Sequence, residues 1–213
     1  MSMKNTKVSL AIAALVPLFF FGCGPKGPIL VNMSYRAPQD LVEETRKVVV
    51  GVSHFRDGRG TSASVLGRRS QASSNEGNDL VVQGTVAELV TSAFKEALRS
   101  RGVAVKDVPE WDLPGGPEEA KGVDILVGGE IKNLRVDAVT KTVRVSYKVD
   151  VQLRVSAAGA AEKRIFRKLI LNCAMEREDV RFSPSRVESL LSEALSSAID
   201  QLMNDEEFKK SLH

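Results

Sequence analysis

The stretch Thr142–Ala157, TVRVSYKVDVQLRVSA, decides the fold. Val143, Val145, Tyr147, Val149, Val151, Leu153 and Val155 are apolar, and every residue between them is polar or charged. Side chains on a strand project alternately to opposite faces, so this period of two predicts one dry face and one wet face. The wet row of Arg144, Ser146, Lys148, Asp150, Gln152 and Arg154 fits an antiparallel sheet solvated on one side, because parallel sheets are covered on both. Helices from elsewhere in the chain must cover the dry face.

Strands flank this stretch on both sides. Residues 123–139 form a long strand whose apolar parity changes: Ile125, Val127 and Ile131 share one face, whereas Leu134, Val136 and Ala138 share the other. A one-residue shift of this kind is what a β-bulge produces, and it is placed near Lys132–Asn133. Thr140–Lys141 turns the chain into the central strand, and a second turn around Gly159 leads into residues 162–176. The three strands form a meander. Cys173 in the last of them shares a face with Leu169, Leu171 and Met175, which suits a small buried hydrophobe.

Two helices supply the cover. Thr85 and Glu88 make a capping box, followed by Val86, Leu89, Val90, Ala93, Phe94, Ala97 and Leu98 at helical spacing, with Gly102 as the stop. A second helix starts at about Ser185, with Pro184 near its first turn, Glu188 three residues on, and an apolar stripe from Leu190 to Leu202. A short tail helix covers 205–212. Before the first helix, residues 47–55, KVVVGVSHF, read as a buried central strand; after it, residues 103–108 read as a short one. The expectation is an α+β domain: an antiparallel-rich mixed sheet with a three-stranded meander and two long helices packed on one face.

The remaining segments read as irregular. Residues 57–79 are rich in Gly, Ser and Asn and are expected to form a long loop, in which Arg59, Arg68 and Arg69 are available to a polar partner. Gly58 and Gly60 lack the spacing of a phosphate-binding loop. Residues 109–122 form a turn-rich connection carrying Trp111, the single Trp.

The N-terminus addresses the chain. Met1–Lys7 is short and carries Lys4 and Lys7, and Val8–Phe21 is apolar apart from Ser9 and Pro17. This run falls short of the roughly 20 residues needed to span a bilayer and matches a signal-peptide hydrophobic region. It ends in Phe20-Phe21-Gly22-Cys23, which resembles the bacterial lipobox, with Phe20 where Leu is usual. The resemblance implies cleavage between Gly22 and Cys23 and lipidation of Cys23. The chain then divides into a signal peptide (1–22), a lipidated N-terminus and Pro/Gly-containing tether (23–46), and one domain (47–213). Loss of Lys4 and Lys7 leaves 28 basic residues against 27 acidic, which gives no electrostatic case for nucleic acid.

The lipobox, the residue 47–55 strand followed by Asp57-x-Arg59, LVTSAFKEALRSRGV, the meander and the terminal FKKSL together resemble the YajG family of bacterial lipoproteins. The longer Gly-rich segment at 58–78 is where this chain departs from that pattern. The resemblance implies a lipid-anchored protein of the outer membrane facing the periplasm, with a non-enzymatic role in interaction or envelope assembly. No catalytic, cofactor-binding or metal-binding residue carries over from it. The order of elements also resembles accessory lipoproteins of lipopolysaccharide transport and secretion machines, which is the alternative reading.

An envelope enzyme is the second alternative. Its candidate residues are the Glu176–Glu178 pair and Asp57 with His54, and neither has a nucleophile, base and orienting group linked by spacing. As an interaction module, the protein would work through the membrane at its anchor and through its wet face. Arg144, Lys148, Asp150, Gln152 and Arg154 are the candidate partner row, and its cations suit an envelope protein or an anionic envelope polymer.

Overall fold

The computed structural model describes residues 27–39, 47–110 and 121–213. The signal peptide, Gly22, Cys23 and Trp111 lie outside these residues. In chain order the elements are β1 (Ile29–Leu30), β2 (Val49–Ser53), β3 (Arg56–Asp57), β4 (Val65–Gln71), β5 (Ser74–Val81), α1 (Val86–Arg99), β6 (Ala104–Val108), β7 (Ile125–Thr140), β8 (Val145–Gly159), β9 (Arg164–Asp179), α2 (Pro184–Met203) and α3 (Glu206–Ser211). The fold is α+β, with one mixed sheet of nine strands among the described residues.

The sheet is built on β7. One of its edges pairs along its whole length with antiparallel β8, which in turn pairs with antiparallel β9. Its other edge is divided among three parallel partners: Ile125–Val127 against β2, Glu130–Ile131 against β3, and Val136–Thr140 against β4. Beyond β2 lies β6, and beyond β4 lie β5 and β1. The register slips between Ile131 and Asn133, so the bulge falls where the parity of the sequence changes.

The alternation in β8 sets the layers. Val145, Tyr147, Val149, Val151, Leu153 and Val155 are buried, while Lys148, Asp150, Gln152 and Arg154 are exposed. Val143 is a correction: it is 73% exposed because it sits in the β7–β8 turn, outside the strand. Both long helices lie on the dry side. The capping box of α1 forms, with the Thr85 hydroxyl accepting from the Glu88 backbone and the Glu88 carboxylate accepting from the Thr85 backbone. Gly102 follows at φ 72°, a left-handed position that suits the residue ending a helix. Phe94 of α1 stacks on Phe55, with ring centroids 4.5 Å apart.

Three further expectations need correcting. In the 57–79 stretch, residues 65–79 form an antiparallel hairpin, β4–β5, docked on β7, and the irregular part is confined to residues 58–64. Its glycines belong to the pairing: a Cβ on Gly67 would lie 1.9 Å from the Val136 carbonyl oxygen, and one on Gly77 2.2 Å from that of Arg69. The start of α2 is also shifted. Ser183 is its N-cap and Pro184 its first residue, and the Glu188 carboxylate accepts from the Asn32 backbone N–H rather than closing a box with Ser185.

The third correction concerns the tether. Residues 27–36 are integral to the domain. β1 pairs with β5, and Val31, Met33 and Tyr35 are buried in the main core. The intervening backbone N–H groups of Asn32, Ser34 and Arg36 donate to Glu188, Ser192 and Ser196, at 2.9, 3.2 and 2.8 Å. Positions 188, 192 and 196 form one ridge of α2, rising about 6 Å every four residues. Two residues of extended chain cover a similar distance, which is why the strap keeps step with the helix.

Candidate functional site

The strap brings together a polar cluster from three distant segments. Tyr35 lies on the strap, Arg101 just past α1 and Asp200 in α2. The Tyr35 hydroxyl donates to Asp200 Oδ1 at 2.7 Å, Arg101 Nη1 donates to the Tyr35 oxygen at 2.7 Å, and Arg101 Nη2 donates to Asp200 Oδ1 at 2.8 Å. Arg101 Nη1 also bonds the Ala97 carbonyl, which fixes the guanidinium at the end of α1. Burial, reinforced by the hydrogen bond to Asp200, pushes the Tyr35 phenol up to about 12. The triangle closes on itself, so its role is to lock strap, α1 and α2 together. Beside it lies a shallow groove of about 600 Å³ between Arg36 and Pro38 on one side and Glu193, Ser197, Asp200 and Gln201 of α2 on the other.

Of the predicted partner row, Lys148, Asp150, Gln152 and Arg154 lie on the exposed face of β8 and Arg144 immediately precedes it, and the neighbouring strands answer their charges. Arg144 pairs with Glu178 at 2.9 Å, and Arg154 with Glu130 at 3.5 Å. The Asp150 carboxylate accepts from Asn133 Nδ2 at 2.8 Å. Lys148 stands in register between Asp137 and Glu176, and Gln152 between Asn133 and Asn172. The five residues are thus gathered on one surface, as their spacing predicts. The surface they form carries alternating charges that neutralise one another across the strands. Ile170, 59% exposed and opposite Arg154, is an apolar residue within this polar field.

The residues weighed as catalytic are placed apart. Asp57 is gripped by Arg59, which donates Nε to Oδ1 at 2.8 Å and Nη2 to Oδ2 at 2.7 Å. These bonds hold the Asp57 carboxyl below the usual carboxylate range. The rest of the Arg59 guanidinium is bonded to the Val65 and Leu134 carbonyls, so Arg59 clamps the entry to β4 and is not free for a partner. Arg69 lies over the Phe182 ring, its guanidinium carbon 4.2 Å from the centroid. His54 is exposed at the end of β2. Glu176 and Glu178 share a strand face, but Glu178 is taken by Arg144, which lowers its pKa, and Glu176 accepts from the Ser146 hydroxyl at 3.3 Å. Cys173 is a half-buried free thiol facing the core side. Among the described residues, no three metal-ligating side chains gather. No described helix is long and apolar enough to cross a membrane.

Two features escaped the sequence reading. One is the Tyr35–Arg101–Asp200 triangle, whose members have no local spacing in common. The other is the strap, which had a usable signal: Val31-Asn32-Met33-Ser34-Tyr35-Arg36 alternates as regularly as β8, though over fewer residues.

No protein-family model and no curated protein matches the sequence. The fold is similar to that of a protein from Xanthomonas campestris assigned to the family model DUF330, with 11% sequence identity, a TM-score of 0.50, and coverage of 87% of this chain and 93% of that one. A candidate neuraminyllactose-binding hemagglutinin homolog from Helicobacter pylori matches with 7% identity and a TM-score of 0.47, over 83% of this chain and 95% of that one. The PelC dodecamer from Paraburkholderia phytofirmans matches with 11% identity and a TM-score of 0.38, over 75% and 92%. At such identities the Xanthomonas protein shares a fold with this chain and nothing further.

Proposed function

We propose that the protein is a lipid-anchored, periplasm-facing lipoprotein of the bacterial outer membrane, of the YajG kind, acting as a non-enzymatic interaction or envelope-assembly module. The observation that carries this reading is the Val8–Phe21 apolar run ending at Gly22-Cys23, only six residues before the first strand, β1, at Ile29. A folded domain that begins so soon after the cysteine leaves no room for another unit between anchor and domain. The engagement of Asp57 by Arg59 and of Glu178 by Arg144 supports the non-enzymatic part, since the acidic groups weighed for catalysis already serve the fold.

A single acyl chain holds a protein to a bilayer only marginally, so stable anchoring needs several chains on Cys23. Cys23→Ser should therefore move the protein from the membrane fraction to the soluble periplasmic fraction. Sedimentation of the Ser variant with membranes in high salt would overturn the proposal.

A further inference from the structure

The position of Gly27 has a consequence for orientation, and the inference rests on the lipid-anchor reading above. Extended chain spans at most about 3.6 Å per residue, so the four residues from Cys23 to Gly27 reach about 14 Å. The Gly27 carbonyl accepts from Asn78 Nδ2 at 2.8 Å, and β1 runs parallel to β5. The tip of the β4–β5 hairpin at Ser74 lies four residues before Asn78 along β5, about 13 Å away. The anchor's reach thus matches the distance to one particular end of the sheet.

That end has a distinct surface. Ala72 at the hairpin tip donates its backbone N–H to the Thr140 carbonyl at 2.9 Å, which puts the tip beside the β7–β8 turn. Val145 pairs with Asp179, so the end of β9 is there too. Val143 in the turn and Val180 after β9 are 73% and 74% exposed, more than any other large apolar residue among those described. Around them are the cations Lys141, Arg144, Arg181 and Arg186 against two carboxylates, Glu178, which serves both Lys141 and Arg144, and Asp179, which lies 4.0 Å from Arg186. Apolar tips ringed by a cationic excess suit the boundary of an anionic bilayer. The opposite end, at the β8–β9 turn of residues 160–163, is about 50 Å away, the length of the sixteen-residue β7.

We infer that the hairpin-tip end is the membrane-facing end. Val143 and Val180 sit at the headgroup level, Lys141, Arg144 and Arg181 face anionic phospholipid, and the β8–β9 turn points into the periplasm. The test uses the full-length lipidated protein with Cys173→Ala as background, reconstituted in vesicles of phosphatidylethanolamine and phosphatidylglycerol. A fluorophore is attached at Val143→Cys, Val180→Cys, Gln152→Cys or Ala161→Cys, all at exposed positions. Headgroup-attached nitroxide should quench the labels at 143 and 180 several-fold more than those at 152 and 161. Equal quenching at 152 would mean that the sheet lies flat, and equal quenching at 161 that the other end faces the lipid; either overturns the inference. Flotation of the same vesicles separates the two ideas. Protein that fails to float refutes the anchor and the orientation with it, whereas protein that floats with all four labels unquenched refutes the orientation alone.

Discussion

Two extended segments of this protein share an apolar–polar alternation and satisfy their backbones in different ways. β8 is bonded on both edges by strands, from Val145 to Gly159. The strap at residues 31–36 lies along α2 and gives its N–H groups to side chains at 188, 192 and 196. Alternation therefore selects an extended conformation and a dry side, but it does not choose the hydrogen-bond partner. The difference also divides the labour. β8 is held by backbone ladder bonds that side-chain truncation leaves in place, whereas the strap depends on particular residues of α2.

The largest expected effect tests the dry side of β8. Val149 is fully buried at mid-strand, and Val149→Asp places a carboxylate there without a partner. A loss of about 3 kcal/mol or more is expected, enough to unfold much of the protein in a thermal melt. Retention of the wild-type melting temperature would mean that this face is not the core.

The strap comes next. Ser192→Ala with Ser196→Ala leaves two N–H groups of the strap without their partners, at about 1–3 kcal/mol each. Hydrogen exchange at Ser34 and Arg36 should accelerate while the β8 amides keep their protection. Equal acceleration in both regions would mean that strap and sheet open as one unit.

Alkaline pH loosens the same strap from its other side. The Tyr35 phenol titrates near 10 when exposed and at about 12 in the fold. A group with a raised folded pKa contributes stability that is complete below its unfolded value and is lost as pH rises through its folded one. Stability should thus fall between about pH 10 and 12, by roughly 2–3 kcal/mol in all. Denaturant melts across this range should show the decline in the wild type, and Tyr35→Phe should flatten it. The smallest effect is on the wet side of β8: Lys148→Gln at an exposed position should shift stability by no more than about 0.5 kcal/mol. A larger loss would show that the cross-strand charges of this face are structural.

Much of the fold was legible because its signals are local and periodic. The bulge followed from the parity change across Ile131 and Leu134, and the start of α1 from Thr85 and Glu88. The β4–β5 hairpin was hidden by Gly67 and Gly77. Glycine weakens a strand reading, yet here the close approach of neighbouring backbones demands it. The strap was hidden between Pro28 and Pro38, with partners more than 150 residues away. The partner row was legible as a face, because period two fixes which side each residue takes. Its neutralisation was not legible, because Glu130 and Glu178 reach it only through the register of two other strands.

Cys23 is the residue on which the proposed lipid anchor depends. Mass spectrometry of the N-terminal peptide from membrane-purified protein tests it most directly. The expected mature chain begins at Cys23, carries a glycerol-linked diacyl group on sulfur, and lacks residues 1–22. A mature N-terminus at any other residue, or an unmodified Cys23 thiol in membrane-bound protein, would contradict the lipid-anchor reading and the orientation derived from it.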